Sequence, residues 1–250
     1  MRRGPSGGGF RAFSAALADI PQLAFQLTQP NTLAIRAAEK ALKPLLKDPS
    51  SIPILLNVLS NTGAANNATY DPGTRQICAI LLKKKLPEHY LKFPLPDRSQ
   101  LKAGIITLLV SEPLRILRLS LIGIIGRIAE VDVNGDINAG CDWPEIFQLI
   151  SNNLTDPAHA NNALLRELSF LLLSEMTDTV GNKMKSLFAP LSGMYMGVLS
   201  DQTRNSAEDN KVKSAALTSL GQVSERSERS ELLLITTTNN TTTTTTNNNN

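Results

Sequence analysis

The chain has 250 residues, of which 42% are hydrophobic, 19% charged and only 4% aromatic, with a formal net charge of +3. That length allows one or two ordinary domains, and so small a net charge, with bases and acids interspersed, argues against direct nucleic-acid binding. Cys78 and Cys141 lie far apart and outside any CxxC pair, which excludes a disulfide framework and favours a reducing compartment.

The first segment, MRRGPSGGGFRAFSAAL, carries three arginines before the first acid, Asp19, with Phe10, Phe13 and Leu17 interleaved. Residues 1–12 read as a flexible Gly-rich lead, with a transit-peptide-like composition as the alternative. GPSGGGF lacks the lysine of a phosphate-binding loop and follows no strand.

From there the apolar spacing is helical throughout. It predicts helices over 14–28, 32–46, 50–60, 72–86, 98–110, 113–130, 143–154, 161–177, 182–199 and 209–223, with Asn31, Asp71, Asp97 and Asp142 as N-caps. Asp48-Pro49, Asp71-Pro72-Gly73, the run from Pro94 to Asp97, and Asp156-Pro157 punctuate the pattern. In the fourth helix, Ile77, Cys78, Ile80, Leu81, Leu82 and Leu86 scatter over most of the circumference, which predicts burial on several faces. Lys83, Lys84 and Lys85 then fall in its last turn, where cations suit the helix dipole. A nuclear-localisation tag would need a more accessible segment. The longest apolar stretch, 119–129, is interrupted by Arg127 and falls short of the roughly 20 residues a bilayer requires, so no membrane partner is expected.

Residues 132–143, DVNGDINAGCDW, begin like a calcium loop. Ile137 stands where that loop needs glycine for its turn, and Trp143 where it needs a bidentate glutamate. A polar loop is the expectation, with no metal site. His89 and His159 have no Cys or His at ligand spacing and read as surface residues. Asn-x-Ser/Thr matches at Asn67, Asn153, Asn239 and Asn240 come without a secretory signal and read as chance. Beyond Val223 the pattern gives way to SERSERSELLLITTTNNTTTTTTNNNN, so 224–250 reads as a disordered low-complexity tail, in keeping with a truncated piece or a gene-model artefact.

The second helix of each proposed pair opens alike: a basic residue, a small or apolar residue soon after, and Leu or Ile six or seven places on. The five cases start at Arg36, Arg75, Arg118, Arg166 and Lys213, spaced by 39, 43, 48 and 47 residues. That is the period of HEAT-type helix pairs, and it predicts an all-α, right-handed solenoid of about five such repeats over 13–223.

RQICAILLKKKLPEHYLKF, LRILRLSLIGIIGRIAE and DWPEIFQLI, in this order and at these separations, resemble the N-terminal HEAT repeats of an importin beta-type karyopherin. The likeness is greatest to the importin four subgroup, whose members carry histones and ribosomal proteins. The resemblance spans about 14–223, although such carriers are several times longer and typically acidic. It implies a nuclear import receptor that shuttles between cytoplasm and nucleus, meets pore proteins, and releases cargo when a Ran-type GTPase in its GTP form occupies the N-terminal repeats. The GTPase surface would then lie on the helices opening at Arg36, Arg75 and Arg118, with Glu39, Gln76, Lys84 and Arg115 as candidate contacts.

Nothing in the sequence forms an acid/base pair, a nucleophile elbow or a Cys–His signature, so no catalytic residue, cofactor or enzyme activity is expected. Asp97, Glu112, Glu130 and Glu145 are dispersed. Outside the resemblance, the alternatives are a HEAT scaffold unrelated to nuclear transport, and a helical enzyme, which would need a polar cluster that the sequence does not offer.

Overall fold

A computed structural model describes residues 16–61, 70–135, 143–159, 161–180, 193–201 and 203–244, and every regular element among them is helical. The chain divides into two compact units, Met1–Val131 and Asp132–Asn250. The first holds α1 (Ile20–Gln26), α2 (Thr32–Leu45), α3 (Ser51–Ser60), α4 (Pro72–His89), α5 (Leu95–Ser111) and α6 (Arg115–Gly135) as far as Val131, with a 3-10 turn at Tyr90–Lys92. The second holds α7 (Pro144–Thr155), α8 (Ala163–Val180) and α9 (Ala207–Thr244), helical backbone over 193–199, and a 3-10 turn at Pro157–His159.

Within the first unit the helices alternate between two layers. α1 packs on α2, α3 and α4, and α3 packs on α4. The second helices adjoin one another. At the end of α4, Nε2 of His89 meets the carbonyl of Leu46, the C-cap of α2, at 3.0 Å. Further along α4, the ammonium end of Lys83 lies over Gly123 of α6, where a Cβ would collide with it. Ile52, Leu55, Val58 and Leu59 of α3 and Cys78, Ala79, Leu82 and Leu86 of α4 form the shared core. At about 25 cal/mol per Å² of apolar surface removed from water, this burial is what holds helices of such modest length.

The caps explain where several helices start. Asn31 Oδ1 accepts the amides of Leu33 and Ala34 at 3.0 and 3.1 Å, and Asp71 accepts that of Thr74 at 3.0 Å. Asp97 is not a cap: α5 begins three residues earlier than expected, with Pro94 at the N-cap and Pro96 in the first turn. Proline costs nothing there, because first-turn amides lack intrahelical partners. Arg98 adds bonds to the carbonyls of Phe93 and Leu91 at 2.8 and 2.7 Å. α1 is shorter than predicted, with Asp19 as its N-cap and Pro21 just inside its start.

α4 is also corrected. Its buried residues, Thr74, Arg75, Cys78, Ala79, Leu82, Leu86 and His89, follow one stripe rather than the whole circumference, and Ile80 is 52% exposed. The helix runs one turn beyond the predicted end, so the three lysines precede the last turn instead of forming it. Pro87 removes its own N–H from the ladder, and the extra turn is held by buried His89 and Tyr90.

In the second unit α8 packs against α7 and α9, burying Phe170, Leu172, Leu173, Met176 and Val180. Phe170 and Tyr195 meet with ring centroids 5.4 Å apart, and the Tyr195 hydroxyl lies 2.7 Å from Ser219 Oγ. Burial pushes that phenol up to about 12. Trp143 is buried at the start of α7. α6 continues as helix through Gly135, so Asp132 belongs to a helix and not to the polar loop; residues 136–142, with Cys141 and the cap expected at Asp142, lie outside the described residues. The same holds for the lead over 1–12, for Asn67 and, in the helix expected over 182–199, for residues 182–192. The α9 backbone is helical past Val223 to Thr244, across most of the stretch expected to be a disordered tail; the Ser-Glu-Arg echo contains no helix breaker, and loss of apolar periodicity alone did not end the helix.

Candidate protein-interaction surface

In three of the five repeats the basic residue that opens the second helix has a structural task. Arg75 is 4% exposed. Its Nε and Nη2 donate to the carbonyl of Leu59, near the C-terminus of α3, at 3.1 and 2.8 Å. The same guanidinium forms an ion pair with Glu112, the C-cap of α5. Glu112 Oε1 in turn accepts the amide of Leu114 at 3.0 Å. Arg118, 7% exposed, donates Nη1 to the carbonyls of Glu112 and Pro113, each at 2.9 Å. Lys213 donates to the carbonyl of Arg204 at 2.8 Å. The last carbonyls of a helix have no intrahelical partner, and a cation there also suits the dipole. The sequence repeat is thus the imprint of a clasp on the end of the preceding segment.

That clasp divides the residues predicted to contact a GTPase. Arg75 and Arg118 are buried and engaged with backbone carbonyls, and the structure brings them together around Glu112. Arg36 and Glu39 on α2, Lys84 on α4 and Arg115 at the start of α6 are exposed, and Gln76 is half-buried. Arg36, Lys40, Lys43 and Lys47 follow one exposed side of α2 and its C-terminal end, with Glu39 beside them. Lys83 and Lys84 flank exposed Ile80 on α4; Arg115 stands beside exposed Ile116 on α6. The second helices of this unit therefore present an electropositive surface studded with aliphatic side chains. Bases interleaved with apolar side chains suit a protein face that is acidic and partly apolar.

The first-helix layer has a different feature, a furrow of about 460 Å³. Ile52, Pro53 and Leu56 of α3 form one wall, and Phe93, Asp97, Gln100, Leu101 and Gly104 form the rest. Its surface is mainly aliphatic and aromatic, and Gly104 contributes open space.

Three residues were misread from sequence. Glu112, dismissed as a dispersed carboxylate, is a buried junction between helix ends; no local pattern around it announces a partner 37 residues away. His89, expected at the surface, is 1% exposed. Its Nδ1 lies 3.3 Å from Lys92 Nζ, which can only donate, so Nε2 carries the proton that bonds Leu46. His159 is half-buried rather than exposed. Among the described residues no group of three His, Cys, Asp or Glu side chains could hold a metal ion, and no helix is long and apolar enough to cross a membrane.

Residues 38–111 match the importin-beta N-terminal domain. Importin-4 of Mus musculus is 27% identical over 158 residues, and Importin-4 of Homo sapiens 29% identical over 157. Each alignment covers 63% of this chain and 13% of the relative, so the chain spans a small part of those proteins' length. Among solved structures, a chain of the Kap95:Nup1 complex superposes with a TM-score of 0.57 at 19% identity, covering 88% of this chain and 26% of that one. The structural likeness shows the fold, that of a HEAT-repeat protein. The sequence matches support an importin-beta-type karyopherin, importin-4-like.

Proposed function

We infer that this importin-beta-type chain belongs to a nuclear import receptor and works by reversible protein binding, with a Ran-type GTPase in its GTP form seated on the second helices of the first unit. One observation carries the reading. In and beside the segment matched by the importin-beta N-terminal domain, α2, α4 and α6 present Arg36, Lys83, Lys84 and Arg115 to solvent, while Arg75 and Arg118 are committed to helix ends. Glu39 and Gln76 complete the contact set. Apolar side chains of pore proteins would use the furrow between α3 and α5. Import cargo, with histones and ribosomal proteins as the expected classes, would be held by the rest of the receptor, which shuttles between cytoplasm and nucleus.

The test is direct. The chain, immobilised and shown by circular dichroism to be helical, is offered Ran loaded with a non-hydrolysable GTP analogue or with GDP. Selective retention of the GTP form is the expected result. Equal or absent binding would remove the GTPase from this surface and return the chain to a HEAT scaffold of another kind.

A further inference from the structure

Lys83 of α4 lies against a gap in α6. Ile116, Leu119, Gly123 and Arg127 follow one side of α6, at helical spacings of three and four residues. Ile116 and Leu119 are exposed aliphatic side chains, and Arg127 forms an ion pair with Glu130. Gly123 puts no side chain on that side, yet it is buried. A Cβ at Gly123 would collide with Lys83 Nζ and stand 3.1 and 3.3 Å from Cε and Cδ, its next nearest neighbours. The tip of the lysine thus fills the place of the missing side chain. Gly123 is helical, so no positive φ requires glycine there, and glycine weakens a helix interior relative to alanine. Its presence works against α6 as a helix, and the lysine it accommodates supplies a local reason for it.

The three consecutive lysines of α4 differ in what holds them. Lys85 is committed to Glu88, with Nζ 2.9 Å from both carboxylate oxygens. Lys84 is exposed. Lys83 is placed at its tip by packing, but its three N–H donors reach no acceptor among the described residues. A lysine loses much of its rotamer freedom when a partner immobilises it. One that is already seated has less freedom left to lose, and that saving favours association.

We propose that Gly123 is a positioning residue of the GTPase surface: by carrying no side chain it seats Lys83 across α6, with the ammonium pre-aimed at a carboxylate of the partner. This rests on the reading of α4 and α6 as part of that surface. The exposed Ile80 of α4 and Ile116 and Leu119 of α6 supply apolar contact beside the charge, the mixture that a partly apolar, acidic protein face complements.

The full chain is compared with Gly123→Ala, Lys83→Ala and the double variant. Each is bound to Ran carrying a non-hydrolysable GTP analogue, by surface plasmon resonance at two salt concentrations, and each is melted. Lys83→Ala should weaken binding by about fivefold, Gly123→Ala by a comparable factor, and the pair by no more than either alone. All three should show a smaller salt dependence. Gly123→Ala should melt no lower than the parent chain, because alanine favours the helix and displaces only the far end of a flexible side chain. Lys83→Met keeps an unbranched apolar stem and loses the charge; it should match Lys83→Ala in affinity at an unchanged melting temperature, whatever Gly123→Ala does to folding. Three results overturn the proposal while the parent chain binds. They are full affinity in Gly123→Ala, full affinity in Lys83→Met, and a further loss when Gly123→Ala is added to Lys83→Ala. A parent chain that is folded and binds no GTP-form GTPase removes the proposed function itself, and this role with it.

Discussion

Arg75 and Glu112, 37 residues apart in sequence, are joined by a buried ion pair that ties the end of α3 to the end of α5 through a single guanidinium. Two charges taken from water are stable only while both remain. Removing either strands the other, at a cost of about 3–5 kcal/mol. Glu112→Ala and Arg75→Ala should each lower the urea midpoint sharply, and Arg75→Met with Glu112→Leu should recover much of the loss. The check is a double-mutant cycle followed by circular dichroism; strictly additive single effects would contradict the pairing.

Asp71 caps α4 through the hydroxyl and amide of Thr74. The hydroxyl bond is the larger cause holding its carboxyl below the ordinary value. A carboxylate depressed on folding contributes stability that is present above its unfolded-state value of about 4 and is lost as pH falls through the folded value. Asp71→Ala should therefore cost about 1 kcal/mol at pH 7, and its melting curve should converge on that of the parent chain in acid. Asp71→Asn, which can still cap, should retain most of the stability while losing that part of the pH dependence.

Burial raises the Cys78 thiol to about 12. Since the thiolate is the reactive form, Cys78 should resist alkylation in native buffer at pH 8 and react once urea opens the first unit. Peptide mapping after pulse labelling checks this. Rapid native labelling of Cys78 would show that α4 does not pack as described.

Gly104 on α5 has no atom within 4 Å of the position of an added Cβ. A helical glycine with open space beside it costs about 0.5–1 kcal/mol relative to alanine. Gly104→Ala should raise the thermal midpoint by a few degrees, read by calorimetry, and would trim the furrow it lines.

How far the sequence carried follows from which interactions are local. Apolar periodicity and the capping chemistry of Asn31 and Asp71 involve residues within four places, so helix existence and several starts were legible. The repeat of Arg75, Arg118 and Lys213 was legible too, but only as a pattern. What a buried arginine grips is a carbonyl on another helix, and backbone carbonyls leave no mark in sequence. His89 was misread for the same reason, its partner being the main chain of Leu46. Among the residues predicted to contact a GTPase, burial separates Arg75 and Arg118 from Arg36, Glu39, Lys84 and Arg115, and no local rule predicts burial of a charge.

That separation gives the last prediction. Reversing an exposed charge on the proposed surface, as in Arg36→Glu with Lys84→Glu, removes attraction for an acidic partner and leaves the core intact. Binding of the GTP-form GTPase should weaken by about tenfold or more, mainly through slower association and with reduced salt dependence, at an unchanged melting temperature. Arg118→Met should act in the opposite sense. It uncaps the end of α5 at Glu112 and Pro113, lowering the melting temperature while altering affinity only in proportion to the folded fraction. Surface plasmon resonance at two salt concentrations, paired with thermal melts, separates the two classes. If the double reversal leaves the association rate untouched, α2 and α4 do not form the GTPase surface.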